Sequence, residues 1–490
     1  MNKPIRTISI FCLLLFLALM VNATYLQYWK AGELNDDPQN RRVLVASYSR
    51  ERGAILVGSK PVAESVESDD EYKFQRTYPR PLEYAPLTGW FSYYSATGIE
   101  QTRNDILSGE DSRLFVTKLV DLLSNDPTQG GNVRLTIDPA AQTAAYEGLK
   151  ALGPGVQGSV VALEPSTGKV LAMVSLPTYD PNKLASHDLG SVEETFERLD
   201  EDPAQPLLNR AIQTRLPPGS TFKILTAAAA IEKGLYKADD PVPGGATFQL
   251  PQTSGVTGEI DNEGRSCGAN NARIPFTQAL GQSCNTTFAQ LAIEVGSEDM
   301  IETAEGFGFN SQYFDDLTPQ AESVFPTDAN EPQIGQTGIG QYEVAATPLQ
   351  MAMVAAGIAN GGSVMRPYLV DEEQSADLDV IQKTDPQELS QAVSSTTASE
   401  VTKLMVATVD EGTASPAAIE GISVAGKTGT AQSGQEDKPP YAWFVSFAPA
   451  DNPSVAVAVM IQAADIPRGE IAGGTYGGPI AKAVMEAVIK

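Results

Sequence analysis

A charge-free stretch near the N-terminus, Ile8 to Val21 (ISIFCLLLFLALMV), decides where the rest of the chain can fold. Extended through Ala23 to Leu26, it reaches the ~20 residues that a helix needs to cross a bilayer. Lys3 and Arg6 precede it and hold that end in the cytoplasm, while Tyr25, Tyr28 and Trp29 suit the far headgroup layer. A cleaved signal peptide is the rival reading, but Val21-Asn22-Ala23 matches a small-x-small cleavage site poorly. Both readings put the remainder outside the cytoplasm. With no second apolar run of that length, the expectation is a single-pass membrane protein with an extracytoplasmic body.

That compartment bears on the cysteines. Cys12 lies in the anchor, whereas Cys267 and Cys284 lie outside, where a disulfide persists. Neither has another candidate partner, so the pair is expected as a disulfide or as two buried free thiols. The net charge of −27 argues against nucleic-acid binding, because such a surface repels phosphate. A single histidine, His187, sits in a polar stretch (LASHDLG), which argues against zinc chemistry and a Ser-His-Asp triad. No metal and no cofactor is expected.

Residues 30 to about 130 are polar and broken by Pro, Gly and charge. RVLVASYSRERGAILVGSKPVAES (42–65) alternates like short strands around a turn at Gly53. ATGIEQTRNDILSG reads as a small linking segment, and NDPTQGG (125–131) as a loop or boundary. DPAAQTAAYEGLKALG then reads as a helix, with Asp138 as N-cap, Pro139 in the first turn and Gly153 ending it. From about 158, GSVVALEP and GKVLAMVS form a hairpin around PSTG. YAWFVSFAPADNPSVAVAVMIQ is a second pair of strands, and GGPIAKAVMEAVIK closes the chain as an amphipathic helix. Residues 200–360 follow a mostly helical pattern. The sum is an α/β (α+β) body: an antiparallel sheet built from both ends of the segment, flanked by helices, with a helical insertion. The acidic stretches 188–202 and 371–388 read as solvated faces.

S-x-x-K occurs twice. Ser166–Lys169 lies in the hairpin turn and reads as structural. Ser220–Lys223 follows the stiff Pro217-Pro218-Gly219 and opens STFKILTAAAAIEKG, a nearly all-apolar, Ala-rich helix that must be buried and is ended by Gly234. Ser220 lies in its first turn and Lys223 three residues on, on the same face. A lysine serves as base once burial and a second cation lower its pKa. GQSCNTTFAQLA puts Ser283 and Asn285 at the start of another helix. VAGKTGTAQ puts Lys427, Thr428, Gly429 and Thr430 on a strand, where glycine lets a ligand approach the backbone.

The order S-x-x-K, S-x-N, K-T-G, with separations of 63 (283 − 220) and 144 (427 − 283), resembles that of the penicillin-recognising serine enzymes. More narrowly, the chain resembles a class B, monofunctional penicillin-binding protein of the actinobacterial A type. The wider context (NRAIQTRLPPGSTFKILTAAAA, GQTGIGQYEVAATPLQMAMVAAGIANGG, RERGAI, TGWFSYYSATGIE) extends the likeness over nearly the whole chain. The resemblance implies three parts: a cytoplasmic tip and anchor (1–27), a β-rich non-catalytic pedestal and linker (28–153), and a transpeptidase domain (154–490). It implies Ser220 as nucleophile, Lys223 as its base, Ser283 as proton relay and Lys427 as fixed cation. Asn285, Thr428, Gly429 and Thr430 would bind substrate, and the backbone N–H groups of Ser220 and Thr430 would form the oxyanion hole. Implied ligands are peptidoglycan stem peptides and β-lactams, and implied partners are a polytopic glycan polymerase and division proteins. Other outcomes are a D,D-carboxypeptidase or β-lactamase-like hydrolase, or a non-catalytic peptidoglycan-binding sensor or scaffold. Arg50 and Arg52 read as structural ion-pairing residues.

Overall fold

A computed structural model describes residues 2–490 except 31–33, 35–47, 71, 115–128, 256–257, 433–438 and 468–471. The apolar run forms a helix over Asn2–Thr24, continued by a wider turn over Tyr25–Trp29, and its large apolar side chains are exposed throughout. Lys3–Trp29 is long and apolar enough to cross a membrane.

The body is organised on two sheets. One has five antiparallel strands in the order Ala425–Ala431, Tyr441–Ala448, Val455–Ala463, Gln157–Leu163, Val170–Leu176. It therefore joins the two ends of the segment, as the apolar runs imply. Apart from the edge strand Ala425–Ala431, its strands are buried on both faces, which is why they read as continuous apolar stretches. Along Val455–Ala463 the alternation still decides neighbours. Val457, Val459 and Ile461 face a layer made with Ala141, Ala145, Leu149, Ile480 and Val484 of the helices Pro139–Lys150 and Gly478–Ile489. Ala456, Ala458 and Met460 face the main core, against helix Pro348–Ala359. Asp138 caps the first of these helices, accepting from the Ala140 and Ala141 N–H groups at 2.8 Å.

The second sheet has six strands in the order Val380–Lys383, Val370–Gln374, Asn132–Leu135, Ile55–Val57, Lys60–Glu67, Phe74–Thr77. Ile55–Val57 runs parallel to Asn132–Leu135, and the other pairs are antiparallel. Two of its strands come from far along the chain, inside the acidic stretch read as a solvated face. That reading fails for Glu372 and Glu373, which are buried against Arg134 and Arg103 respectively. Helix Leu189–Asp200, by contrast, is largely exposed. Of the expected early strands, 42–47 lie outside the described residues. The hairpin reverses at Gly58 (φ +60°) rather than Gly53. Gly53 serves a close approach instead: a methyl group there would lie 1.8 Å from the Gly131 carbonyl oxygen. Of the loop read at 125–131, 125–128 also lie outside the described residues.

Behind this sheet, Glu100 is fully buried between two arginines, 2.6 Å from Arg52 Nε and 2.6 Å from Arg76 Nε. Arg52 also stacks 4.2 Å over the Phe91 ring. The segment read as a mere link therefore folds into two short helices, Gly98–Thr102 and Asn104–Leu107, that carry this carboxylate inward. Arg50 pairs with Glu110 at the surface.

The 200–360 region holds the expected helices but also short β-pairs, Pro241–Pro243 with Arg273–Pro275 and Thr247–Gln249 with Glu259–Asp261. Strands of three residues leave too little periodicity to read. Within this region Cys267 and Cys284 are joined as a disulfide. Alkylation of the denatured chain is expected to label one thiol, Cys12, before reduction and three after, as read by intact mass. Three labels without reductant would show the pair to be free.

Candidate active site

Pro217-Pro218 leads into a tight 3-10 turn, Gly219–Phe222, and the α-helix proper begins at Lys223. Ser220, read from the pattern as lying in the helix's first turn, therefore sits in the 3-10 turn just before the α-helix starts. Every residue from Lys223 to Ile231 is buried. The alanines let the helices Asn285–Val295 and Ser395–Asp410 close around it. Gly219 takes φ +53°, and its N–H donates to the Gly340 carbonyl at 3.1 Å. A methyl group on Gly340 would meet the Gly219 oxygen at 2.1 Å, so the 340 loop clamps the serine turn only because both residues are glycines.

The fold brings the three motifs together. Lys223 Nζ lies 3.1 Å from Ser220 Oγ, 2.8 Å from the Ser283 carbonyl oxygen, 3.2 Å from Ser283 Oγ and 2.6 Å from Asn285 Oδ1. Lys427 Nζ donates to Ser283 Oγ at 2.9 Å and to the Thr428 carbonyl at 2.9 Å. Ser283 Oγ thus bridges the two amines. Both lysines are fully buried. Burial first, then the charges of Lys427 and Arg265, push the Lys223 amine well below its ordinary value. Burial and Arg265 also lower Lys427. Two ammonium groups sharing one hydroxyl oppose each other. The arrangement is coherent with Lys223 neutral and Lys427 charged. A neutral amine has two hydrogens and one lone pair. Its hydrogens go to the Ser283 carbonyl and Asn285 Oδ1, and the lone pair is left to accept the Ser220 O–H.

The K-T-G strand, Ala425–Ala431, is the sheet edge facing this cluster. At Gly429 a methyl group would lie 2.9 Å from the Pro218 oxygen and 3.0 Å from Trp443 Cβ, so glycine lets the strand press against the serine turn. One at Gly219 would lie 2.9 Å from the Thr430 oxygen, which sets the Ser220 and Thr430 backbones side by side. Thr430 is exposed and Thr428 half-buried. The cleft, about 230 Å³, is lined by Ser220, Asn285, Thr430, Gln341 and an acidic wall of Glu259, Asp261 and Glu263.

Asn285 Nδ2 donates to the Asp261 carbonyl at 3.0 Å, so both ends of its amide have protein partners. Sequence reasoning missed Asp261, Glu263, Arg265, Gln341 and Thr413. None belongs to a short motif, and each reaches the site only through tertiary structure: Arg265 and Glu263 act on Lys223, Asp261 on Asn285, Thr413 on Thr428, and Gln341 lines the cleft. His187 is engaged elsewhere, paired with Asp70 and packed against Tyr48 and Tyr72. The other S-x-x-K stays a turn: Gly168 has φ +82°, and Lys169 faces Asp371 at 3.6 Å.

The family model for the penicillin binding protein transpeptidase domain matches residues 158–486. That for the penicillin binding protein A dimerisation domain matches 52–133. The chain is 41% identical to the peptidoglycan D,D-transpeptidase PbpA of Mycolicibacterium smegmatis over 100% of its own length and 99% of the relative's. It is 42% identical to that of Mycobacterium tuberculosis, with the same coverage. Among solved structures, the ceftriaxone acyl-enzyme complex of M. tuberculosis penicillin-binding protein A superposes with a TM-score of 0.85. It is 40% identical, covering 91% of this chain and 100% of that one. The penicillin G acyl-enzyme complex gives 0.82 and 41%, over 90% and 100%.

Proposed function

Since the chain belongs to the class B penicillin-binding proteins of the PbpA type, we infer that its cleft runs peptidoglycan D,D-transpeptidation through an acyl-enzyme on Ser220. The protein is a serine-type transpeptidase of cell-wall synthesis, with an N-terminal apolar helix that fits a single-pass anchor. Its substrates are peptidoglycan stem peptides, and β-lactams are its acylating inhibitors.

The Ser220 oxygen attacks the carbonyl of the penultimate D-alanine while its proton passes to the neutral Lys223 amine. The oxyanion of the tetrahedral intermediate is met by the backbone N–H groups of Ser220 and Thr430. Ser283 carries a proton to the departing D-alanine nitrogen, and the Lys427 charge holds the Ser283 hydroxyl in place. Thr428 and Thr430 receive the terminal carboxylate beside Gly429, and Asn285 aligns the substrate backbone. The C–N bond to the terminal D-alanine breaks, leaving an ester on Ser220. The amine of a neighbouring stem then attacks that ester, restoring the serine and forming the cross-link. A β-lactam opens on the same oxygen and stays.

One observation supports this most: the Lys223 amine, buried and lowered, within 3.1 Å of the Ser220 hydroxyl. A fluorescent penicillin is expected to label the protein, and Ser220→Ala to remove the label. A labelled Ser220→Ala protein would refute the assignment. Donor stem peptide with an acceptor amine is expected to yield a cross-linked dimer; release of the hydrolysed donor alone would make it a carboxypeptidase. By the charges of Lys3 and Arg6, the N-terminus faces the cytoplasm and the catalytic cleft the outside. The N-terminal pedestal region, 28–153, is where a polytopic glycan polymerase and division proteins would dock.

A further inference from the structure

Thr413 belongs to none of the three motifs, yet it touches the frame of two. It follows helix Ser395–Asp410 in the turn Glu411-Gly412-Thr413. Its backbone N–H donates to the Gly281 carbonyl at 3.1 Å, at the end of the helix that delivers Ser283. Its hydroxyl lies 2.8 Å from the hydroxyl of Thr428 on the K-T-G strand. Glycines make this contact close. A methyl group on Gly412 would sit 2.7 Å from the Gly281 oxygen. One on Gly474 would sit 2.7 Å from the Thr413 oxygen and 3.2 Å from Thr428 Cγ2. The threonine pair is thus enclosed on two sides, and Thr413 sets the distance between the S-x-N turn and the K-T-G strand.

A hydroxyl has one hydrogen to give and two lone pairs to receive with. In the free protein either threonine can be the donor. Once the Thr428 hydrogen is turned to a carboxylate, the Thr413–Thr428 bond persists only with Thr413 donating. The Thr428 oxygen is then polarised from behind, and its own O–H is strengthened toward the anion.

We propose that Thr413 is a positioning residue for carboxylate recognition: its hydroxyl donates to Thr428 Oγ1 and aims the Thr428 O–H at the carboxylate of the donor peptide or β-lactam. This rests on the reading above that Ser220 is acylated and Thr428 receives that carboxylate. It makes Thr413 selective for ligand charge, a property a purely structural threonine would lack.

The test compares benzylpenicillin with its methyl ester on the full-length protein in detergent, following acylation by intact mass. For Thr413→Val, acylation by the acid is expected to slow by about tenfold, the size of one lost hydrogen bond. The loss should lie in non-covalent binding, with the first-order acylation step unchanged. The ester should react at the unsubstituted rate, and Thr413→Ser should restore the acid. Equal losses on acid and ester, or no loss on the acid, overturn the proposal. If Thr413→Val unfolds, Thr413→Ala in a cycle with Thr428→Ala carries the test. The double variant is expected to lose no more with the acid than Thr428→Ala alone, and additive losses overturn the inference. If benzylpenicillin fails to acylate even the unsubstituted protein, the acyl-enzyme reading falls and this inference falls with it. Normal acylation with acid and ester equally affected removes only the role of Thr413.

Discussion

Alanine at position 223 is expected to cut acylation of Ser220 by about 10³-fold, roughly 4 kcal/mol in the barrier, the scale of a lost general base. The Lys223 amine is the one basic group with a hydrogen-bond contact to the serine oxygen among the described residues, and His187 is paired with Asp70 instead. Arginine should not rescue, because a guanidinium never gives up its proton at working pH. The wild-type rate should fall on the acid side as Lys223 takes up a proton, since the ammonium form has no lone pair for Ser220. The sign for stability is the same. Between the lowered folded value and the ordinary ~10.4, the unfolded chain holds a proton that the folded one does not. Stability from this group therefore decreases as pH falls through that window. Time-resolved intact mass with a penicillin, from mildly acid to mildly alkaline pH, measures the rate. An alanine variant that acylates within tenfold of wild type would remove Lys223 from the mechanism.

The largest stability effect is expected far from the cleft. Glu100→Gln should destabilise the protein by about 3–5 kcal/mol, because it leaves two buried guanidiniums without their shared counter-charge. Arg76 already has one nitrogen, Nη2, without a hydrogen-bond partner, so the site has no spare acceptor to offer. Burial alone would raise the Glu100 carboxyl, but Arg76 and then Arg52 hold it below the usual range. That stabilisation is complete above the ordinary carboxylate value near 4.3 and is lost as pH falls through the lowered one. Thermal unfolding of the detergent-solubilised chain reads the difference. The exposed pair makes the control: Arg50→Ala should change stability by less than about 1 kcal/mol. Equal melting temperatures for Glu100→Gln and wild type would show that the triad contributes nothing.

The convergence of the three motifs was legible in the sequence for a physical reason. They are short and lie on elements with strong local signals: a Pro-Pro-Gly stop before an alanine helix, and long apolar strands. What it concealed depends on partners distant in the chain. Glu372 and Glu373 look like surface charge, and the cations the fold brings beside them, Arg134 and Lys383 at Glu372 and Arg103 and Arg113 at Glu373, make their burial tolerable. The turn at Gly58 was misplaced to Gly53 because both glycines fit, and only the approach of Gly131 distinguishes them. Thr413 has no motif at all; its meaning lies in one hydroxyl contact across 15 residues.

The strand Val370–Gln374 departs from the catalytic part to lie beside Asn132–Leu135 in the other sheet. A mechanical load on the N-terminal region would therefore pass into the later half of the chain through the backbone hydrogen bonds between these two strands and the Arg134–Glu372 ion pair. A trimmed fragment beginning near residue 158 would carry that strand with a bare edge, and bare edges seek another copy of themselves.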